Sequence, residues 1–176
     1  MKNKRPINRK PRDLAFAREA VIDPTLFARR LLAVELTESQ VEILQSIRAN
    51  RKTAIKACHG VGKTFTLAVA VLWWLARYKD GVVRTTSSTY RQVQTQLWFE
   101  IHGLIVGARV SYPKVNSTQI KLRDDKNFAL GLSTNRAENF QGYHGQHVLI
   151  IADEAPGIDS EVMEAMAGIW RAAMCI

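Results

Sequence analysis

Two cysteines in 176 residues, Cys58 and Cys175, are too few to frame a disulfide scaffold and make no zinc set. A reducing cytoplasm is the compartment such usage fits. Long apolar runs are missing as well. The uncharged, apolar-rich stretch Thr64 to Ala76 falls short of the ~20 residues a membrane span takes, so it reads as a buried helix and the chain as having no membrane partner. The N-terminus has no apolar h-region and is not a secretory signal. Acid is absent from the start of the chain: none precedes Asp13, whereas Lys2, Lys4, Arg5, Arg9, Lys10 and Arg12 all do. Internal repeats and low-complexity tracts are absent too.

What remains is ordinary globular composition, 47% hydrophobic and 23% charged, which excludes wholesale disorder. The expected organisation is a disordered basic arm, residues 1–12, followed by one domain over 13–176. The net charge of +9 and pI near 9.9 suggest a polyanionic partner. Six of those charges lie in the arm, leaving about +3 for the folded body. The arm has two readings, a nucleic-acid contact or a solvated start.

The densest signal is Thr53-Ala54-Ile55-Lys56-Ala57-Cys58-His59-Gly60-Val61-Gly62-Lys63-Thr64. A short apolar run opens into a small-residue turn and then a long helical segment, the strand–loop–helix context of a phosphate-binding P-loop. Glycine lets the backbone curl so that successive N–H groups face an anion, and the helix N-terminus adds free donors and its positive dipole end. Lys63 would reach the β- and γ-phosphates of ATP, and the Thr64 hydroxyl would ligate Mg²⁺. The loop residues Ala57, His59, Gly60, Val61, Gly62, Lys63 and Thr64 would bind the nucleotide. The pattern carries alanine where a first glycine is usual. Ala57 is tolerable there if it ends a strand with negative φ.

Elsewhere the pattern alternates between helices and strands. Two short helices are expected between Asp13 and Ala33, with Pro24 near the start of the second. Thr37-Glu38-Ser39-Gln40 is a capping box opening a helix faced by Val41, Ile43, Leu44 and Ile47. Gln40 has two compatible readings, the capping partner or a glutamine that hydrogen-bonds adenine. The helix Lys63 to Tyr78 is apolar nearly all round and must be covered on most sides. Val82 to Ser87 reads as a strand, and a second long helix opens near Ser88 to Arg91. Thr118–Arg123 and Phe128–Ser133 read as a hairpin. Residues 134–146 form a loop with Arg136, Gln141, Tyr143 and His144. His147 to Ala152 is a nearly continuous apolar run, a strand buried on both faces, and Asp159 to about Trp170 is a last helix.

That buried strand delivers Asp153 and Glu154 at its carboxyl end, where ligands of open α/β sheets bind. Asp153 would hold Mg²⁺ opposite Thr64, and Glu154 would act as the general base on the attacking water. The plainer reading has the pair only capping the next turn. The P-loop about ninety residues upstream favours the catalytic one.

Three segments together resemble one family. They are His59-Gly60-Val61-Gly62-Lys63-Thr64-Phe65, Thr85 to Val93, and Phe140 to Gly145 followed by Val148 to Ala155. The family is the ATPase domain of tailed-phage terminase large subunits, the motors that package DNA into procapsids, and the likeness covers roughly residues 25–167. It implies an α/β P-loop NTPase of the ASCE type, with a mainly parallel sheet flanked by helices. It also implies Mg²⁺-dependent ATP hydrolysis that moves double-stranded DNA in the host cytoplasm, and as partners a terminase small subunit, a portal protein and further copies in a ring. Lys63 and Thr64 match the Walker A positions, Asp153 and Glu154 the Walker B pair, and Gln40 more loosely the adenine-binding glutamine. A helicase-like DNA-dependent ATPase, or an inactive truncated prophage remnant that at most binds nucleotide, are the competing readings.

Two departures from the family follow. Where many relatives carry a catalytic arginine, this chain has His59 and Gln141. Arg136, Arg84 or Arg91 could substitute as the catalytic arginine, and the sequence does not choose among them. The second departure is the ending. Relatives place a further strand between the P-loop and Walker B strands and then continue into a nuclease domain. The tail Ile169 to Ile176 looks out of frame, because codons for it, read in a shifted frame, can give the small, glycine-rich turn into a strand that relatives show there. The expectation is therefore a truncated domain whose sheet lacks that strand, with β-pairing of Val148–Ala152 directly to Thr53–Ala57 or a gap near 10 Å.

Overall fold

The computed structural model describes residues 19–58, 60–122, 126–132, 146–167 and 172–175. The basic arm, residues 1–12, lies outside them. After helical residues 19–22, helix α1 (Pro24–Phe27) starts where Asp23 supplies its Oδ1 to the N–H groups of Thr25 (2.8 Å) and Leu26 (3.2 Å), with proline in the first turn, where a missing N–H is harmless. It runs on as a π segment, Ala28–Leu32, closed by Ala33 in the left-handed region. The other oxygen of Asp23 accepts from Gln45 (2.8 Å) and Arg48 (2.7 Å) of α2 (Glu38–Ala49). One carboxylate therefore caps a helix and ties it to the next, a role that sequence patterning did not single out. The Thr37 capping box is present as expected, with Thr37 and Gln40 exchanging bonds of 3.0 and 3.4 Å.

Strand β1 (Lys52–Ile55) leads through the glycine-rich loop into α3 (Lys63–Arg77). Then come β2 (Gly81–Thr86) and one helical run made of α4 (Tyr90–Gln92), a π segment Val93–Leu97 and α5 (Trp98–Gly107). Strands β3 (Lys114–Asn116), β4 (Gln119–Lys121), β5 (Phe128–Gly131) and β6 (His147–Ala152) follow. After a 3-10 turn, Ala155–Gly157, come α6 (Ser160–Ala167) and β7 (Ala172–Cys175). Among the described residues no helix is long and apolar enough to cross a membrane.

The seven strands form one sheet in the order β1-β7-β6-β2-β5-β4-β3. The pairings β1–β7, β7–β6, β6–β2 and β2–β5 are parallel, and β5–β4 and β4–β3 antiparallel. With helices on both faces this is the expected α/β architecture. β2 and β6 are central and almost wholly buried, which is why they read as continuous apolar runs. β1 is an edge, and its burial alternates.

The expectation of a missing strand is wrong. β7 lies between β1 and β6, with Thr53 opposite Ala173 and Ala173 opposite Ile151. A strand held on both sides takes its stability from two ladders of backbone hydrogen bonds, so the four residues Ala172–Cys175 suffice to complete the sheet. Neither the gap nor direct β1–β6 pairing occurs.

On one face of the sheet, α3 is enclosed from Thr66 to Leu75 by the sheet, α1, α2 and α5. Its indoles are satisfied inside this core: Trp73 Nε1 donates to the Val21 carbonyl (3.0 Å) and Trp74 Nε1 to that of His147 (3.1 Å). On the other face α6 packs Val162 and Met166 against Val82, Val148 and Ile150. Trp98, fully buried, donates to Thr85 Oγ1 at 2.8 Å and crosses β5 so closely that a Cβ on Gly131 would lie 2.6 Å from Trp98 Nε1 and 2.8 Å from Val93 Cγ1. Gly131→Ala should therefore lower stability by about 1–3 kcal/mol, the usual cost of overpacking. Gly103→Ala, where a Cβ meets nothing within 4 Å, should raise it by about 0.5–1 kcal/mol by favouring helix. Urea unfolding of both variants checks the pair, and two changes of the same sign would contradict the close crossing.

Candidate nucleotide site at the carboxyl ends of the strands

The loop after β1 turns on two left-handed glycines, Gly60 (φ 85°) and Gly62 (φ 77°). In that region any L side chain is strained. The other described residues with positive φ are Ala33 and Glu154, so Ala57 has the negative φ that alanine needs in the first loop position, although β1 ends two residues earlier, at Ile55. Gly62 is needed twice over, since a Cβ there would also lie 2.5 Å from Gln40 Nε2. Gln40 is buried against the loop. Its Oε1 accepts from Thr37 N–H and its Nε2 donates to the Val61 carbonyl at 3.4 Å. The same amide thus completes the capping box of α2 and braces the loop, a contact with no signal in the local residue pattern.

Lys63 closes the loop across its own backbone, donating from Nζ to the carbonyls of Ala57 (2.6 Å) and Cys58 (3.3 Å). An ammonium held by neutral carbonyls can exchange them for anionic oxygen at a gain, because charge-assisted bonds are the stronger. Next in the chain, Thr64 donates from Oγ1 to Asp153 Oδ2 at 3.0 Å, and Asp153 is 3% exposed. These two residues, 89 apart in sequence, come from opposite sides of β7. Glu154 follows with an exposed side chain and left-handed backbone (φ 56°, ψ 47°). For a residue other than glycine that conformation is strained, and it ends β6 abruptly at the 3-10 turn.

The oxygens of Thr64 and Asp153 are hard donors, the kind Mg²⁺ takes together with phosphate and water, and in that respect the residues present fit it. Among the described residues no group of three His, Cys, Asp or Glu side chains could hold a metal.

His59, Arg136, Gln141, Tyr143 and His144 lie outside the described residues. Of the other two arginines considered, Arg84 is enclosed in β2, 1% exposed, and Arg91 is exposed on α4.

Neither a family model nor a curated protein matches the chain. Solved structures do. The chain is similar to the large terminase ATPase domain of Thermus phage P74-26 at 17% identity and a TM-score of 0.61, covering 87% of this chain and 69% of that one. It is similar to the large terminase of bacteriophage HK97 at 14% identity and a TM-score of 0.64, over 90% of this chain and 37% of that one. A third is the large terminase of a thermophilic bacteriophage in complex with ADP, at 11% identity and a TM-score of 0.62, over 81% and 38%. The fold is that of a large-terminase ATPase domain. The chain spans about two-fifths of the length of the full large terminases it matches.

Within this terminase-type fold, Ala57, Gly60, Val61, Gly62, Lys63, Thr64 and Asp153 gather at one end of the sheet, with Gln40 beneath the loop and Glu154 at its rim. The brace predicts a coupling. Gly60→Ala and Gly62→Ala should each destabilise by about 1–2 kcal/mol through the left-handed backbone. Only the Gly62→Ala effect should change when Gln40→Ala is added, since distant independent sites add. Equal coupling of Gln40 to both glycines in urea unfolding would contradict the contact.

Proposed function

We propose that this chain is an ATP-hydrolysing motor domain of the kind that drives double-stranded DNA into a phage procapsid. The observation that carries the reading is the Thr64–Asp153 contact at 3.0 Å, which joins a P-loop to an Asp-Glu strand end inside a terminase-type ATPase fold. The ADP complex of one structural neighbour supports a nucleotide as ligand.

Each residue then has a task. The N–H groups of the loop and of the first turn of α3 receive the phosphates. Lys63 leaves the carbonyls of Ala57 and Cys58 for the β- and γ-phosphate oxygens. Thr64 and Asp153 would hold Mg²⁺, which would supply charge neutralisation at the phosphates. Glu154 accepts a proton from the water it orients. Gln40 would read adenine only by releasing the Val61 carbonyl. Arg136 is the proposed charge stabiliser, with Arg84 and Arg91 as alternatives. The duplex would be met by the basic arm. A terminase small subunit, a portal protein and copies of this chain in a ring complete the proposed machine, working in the cytoplasm of a bacterial host.

Two variants test the assignment. Lys63→Ala should weaken ADP and ATP binding by roughly 1.5–3 kcal/mol, the worth of a bond to a charged group. Unchanged affinity in calorimetry would remove the P-loop from the account. Glu154→Gln should keep nucleotide affinity and lower turnover by about 10²–10⁴-fold, the usual share of a general base. Turnover within a factor of a few of the parent would assign the base elsewhere.

A further inference from the structure

The hydroxyl of Ser87 has no task in the fold. Ser87 is 1% exposed, and its Oγ is buried without a hydrogen-bond partner. An unmade bond of that kind is a standing cost. Its neighbours on β2 use theirs: Thr85 Oγ1 accepts from Trp98, and Thr86 Oγ1 donates to the Leu132 carbonyl at 3.2 Å. Alanine would fill nearly the same space at Ser87 with nothing left unsatisfied.

Its position is fixed by register. β2 and β6 run parallel with Thr86 opposite Ala152. The Asp153 N–H donates to the Thr86 carbonyl at 2.9 Å, so the ladder continues one residue past both strands and Ser87 sits beside Asp153. Both face the same way. Val83 packs in the cluster of α3 and α5, and Thr85 bonds Trp98, so Ser87, two residues on, looks to that side. Leu149 and Ile151 pack there too, and Asp153, two residues on, meets Thr64 at the start of α3. Ser88 turns the opposite way, close under Gly157, where a Cβ would lie 2.5 Å from Ser88 Cβ. Neighbouring strands lie about 4.8 Å apart, a spacing that one water can bridge.

We infer that Ser87 is a positioning residue of the nucleotide site, its hydroxyl holding a water of the metal's shell against Asp153. The inference rests on the function proposed above. It explains why an unsatisfied hydroxyl is kept beside the one buried carboxylate of the site, since local cost is commonly retained where binding needs it.

The test uses the whole chain with ADP, and Mn²⁺ as the probe ion, read by the electron paramagnetic resonance signal of the free ion. Ser87→Ala removes the hydroxyl, and Ser87→Cys keeps its size with only a weak donor. Both should bind Mn²⁺ in the ADP complex about 3–10-fold more weakly, the worth of one hydrogen bond. Both should bind ADP in EDTA as the parent does, and Ser87→Ala should unfold at an equal or higher temperature. A residue that only fills space would give the opposite, with Mn²⁺ affinity unchanged in Ser87→Cys. Parental Mn²⁺ affinity in either variant, alongside ADP binding that still depends on Lys63, overturns this inference and leaves the proposed function standing. Absence of any Lys63-dependent ADP binding by the parent overturns both.

Discussion

The contact between Thr64 and Asp153 depends on a spacing. Thr64 belongs to the helix that leaves β1, and Asp153 to the end of β6, so their side chains meet only if those strands are held the right distance apart. One intervening strand gives about 10 Å, two inter-strand steps. β7 supplies it, parallel to both neighbours and in register with each. The rest of the fold serves to keep α3 where that spacing makes it useful. A helix buried on every side from Thr66 to Leu75 has little freedom to slide or turn, because a close-packed interior transmits any shift to its neighbours. Its N-terminus therefore points at the strand ends with little latitude.

Local costs gather at this end of the sheet. Glu154 holds a left-handed backbone, Ser87 keeps an unmet hydroxyl, and Lys63 rests on carbonyls that an anion would replace. Like costs occur elsewhere, at the left-handed Ala33 and at Asn127 Oδ1, buried without a hydrogen-bond partner. Asp23 spends both oxygens on α1 and α2, and although burial opposes its charge, the bonds from Thr25, Gln45 and Leu26 prevail and hold its carboxyl below the ordinary aspartate range. With the folded value depressed, that stabilisation is present above the unfolded pKa and fades as pH falls through the folded one.

Much of this was legible from residue order alone. β6 was bounded at His147 and Ala152 because a strand buried on both faces shows as an unbroken apolar run. α3 was found from its all-round apolar surface, and the Thr37 box from a four-residue motif. Lys63, Thr64 and Asp153 belong together by their chemistry alone. What escaped lacked a local signature. β7 is a four-residue strand held by two neighbours. Asp23 acts across 25 residues to Arg48. The Gln40 brace on Gly62 depends on how α2 lies beside the loop. Ser87 is ordinary until its register against Asp153 is known. Pairing and packing fixed these features, and neither is written in a short window of sequence.

The strand order itself is the most direct thing to measure. Cross-strand nuclear Overhauser effects in the 176-residue chain should link Thr53 to Ala173 and Ala173 to Ile151, with none between Thr53 and Ile151. A direct Thr53–Ile151 contact, with Ala172 to Cys175 lacking strand partners, would contradict the spacing and with it the site.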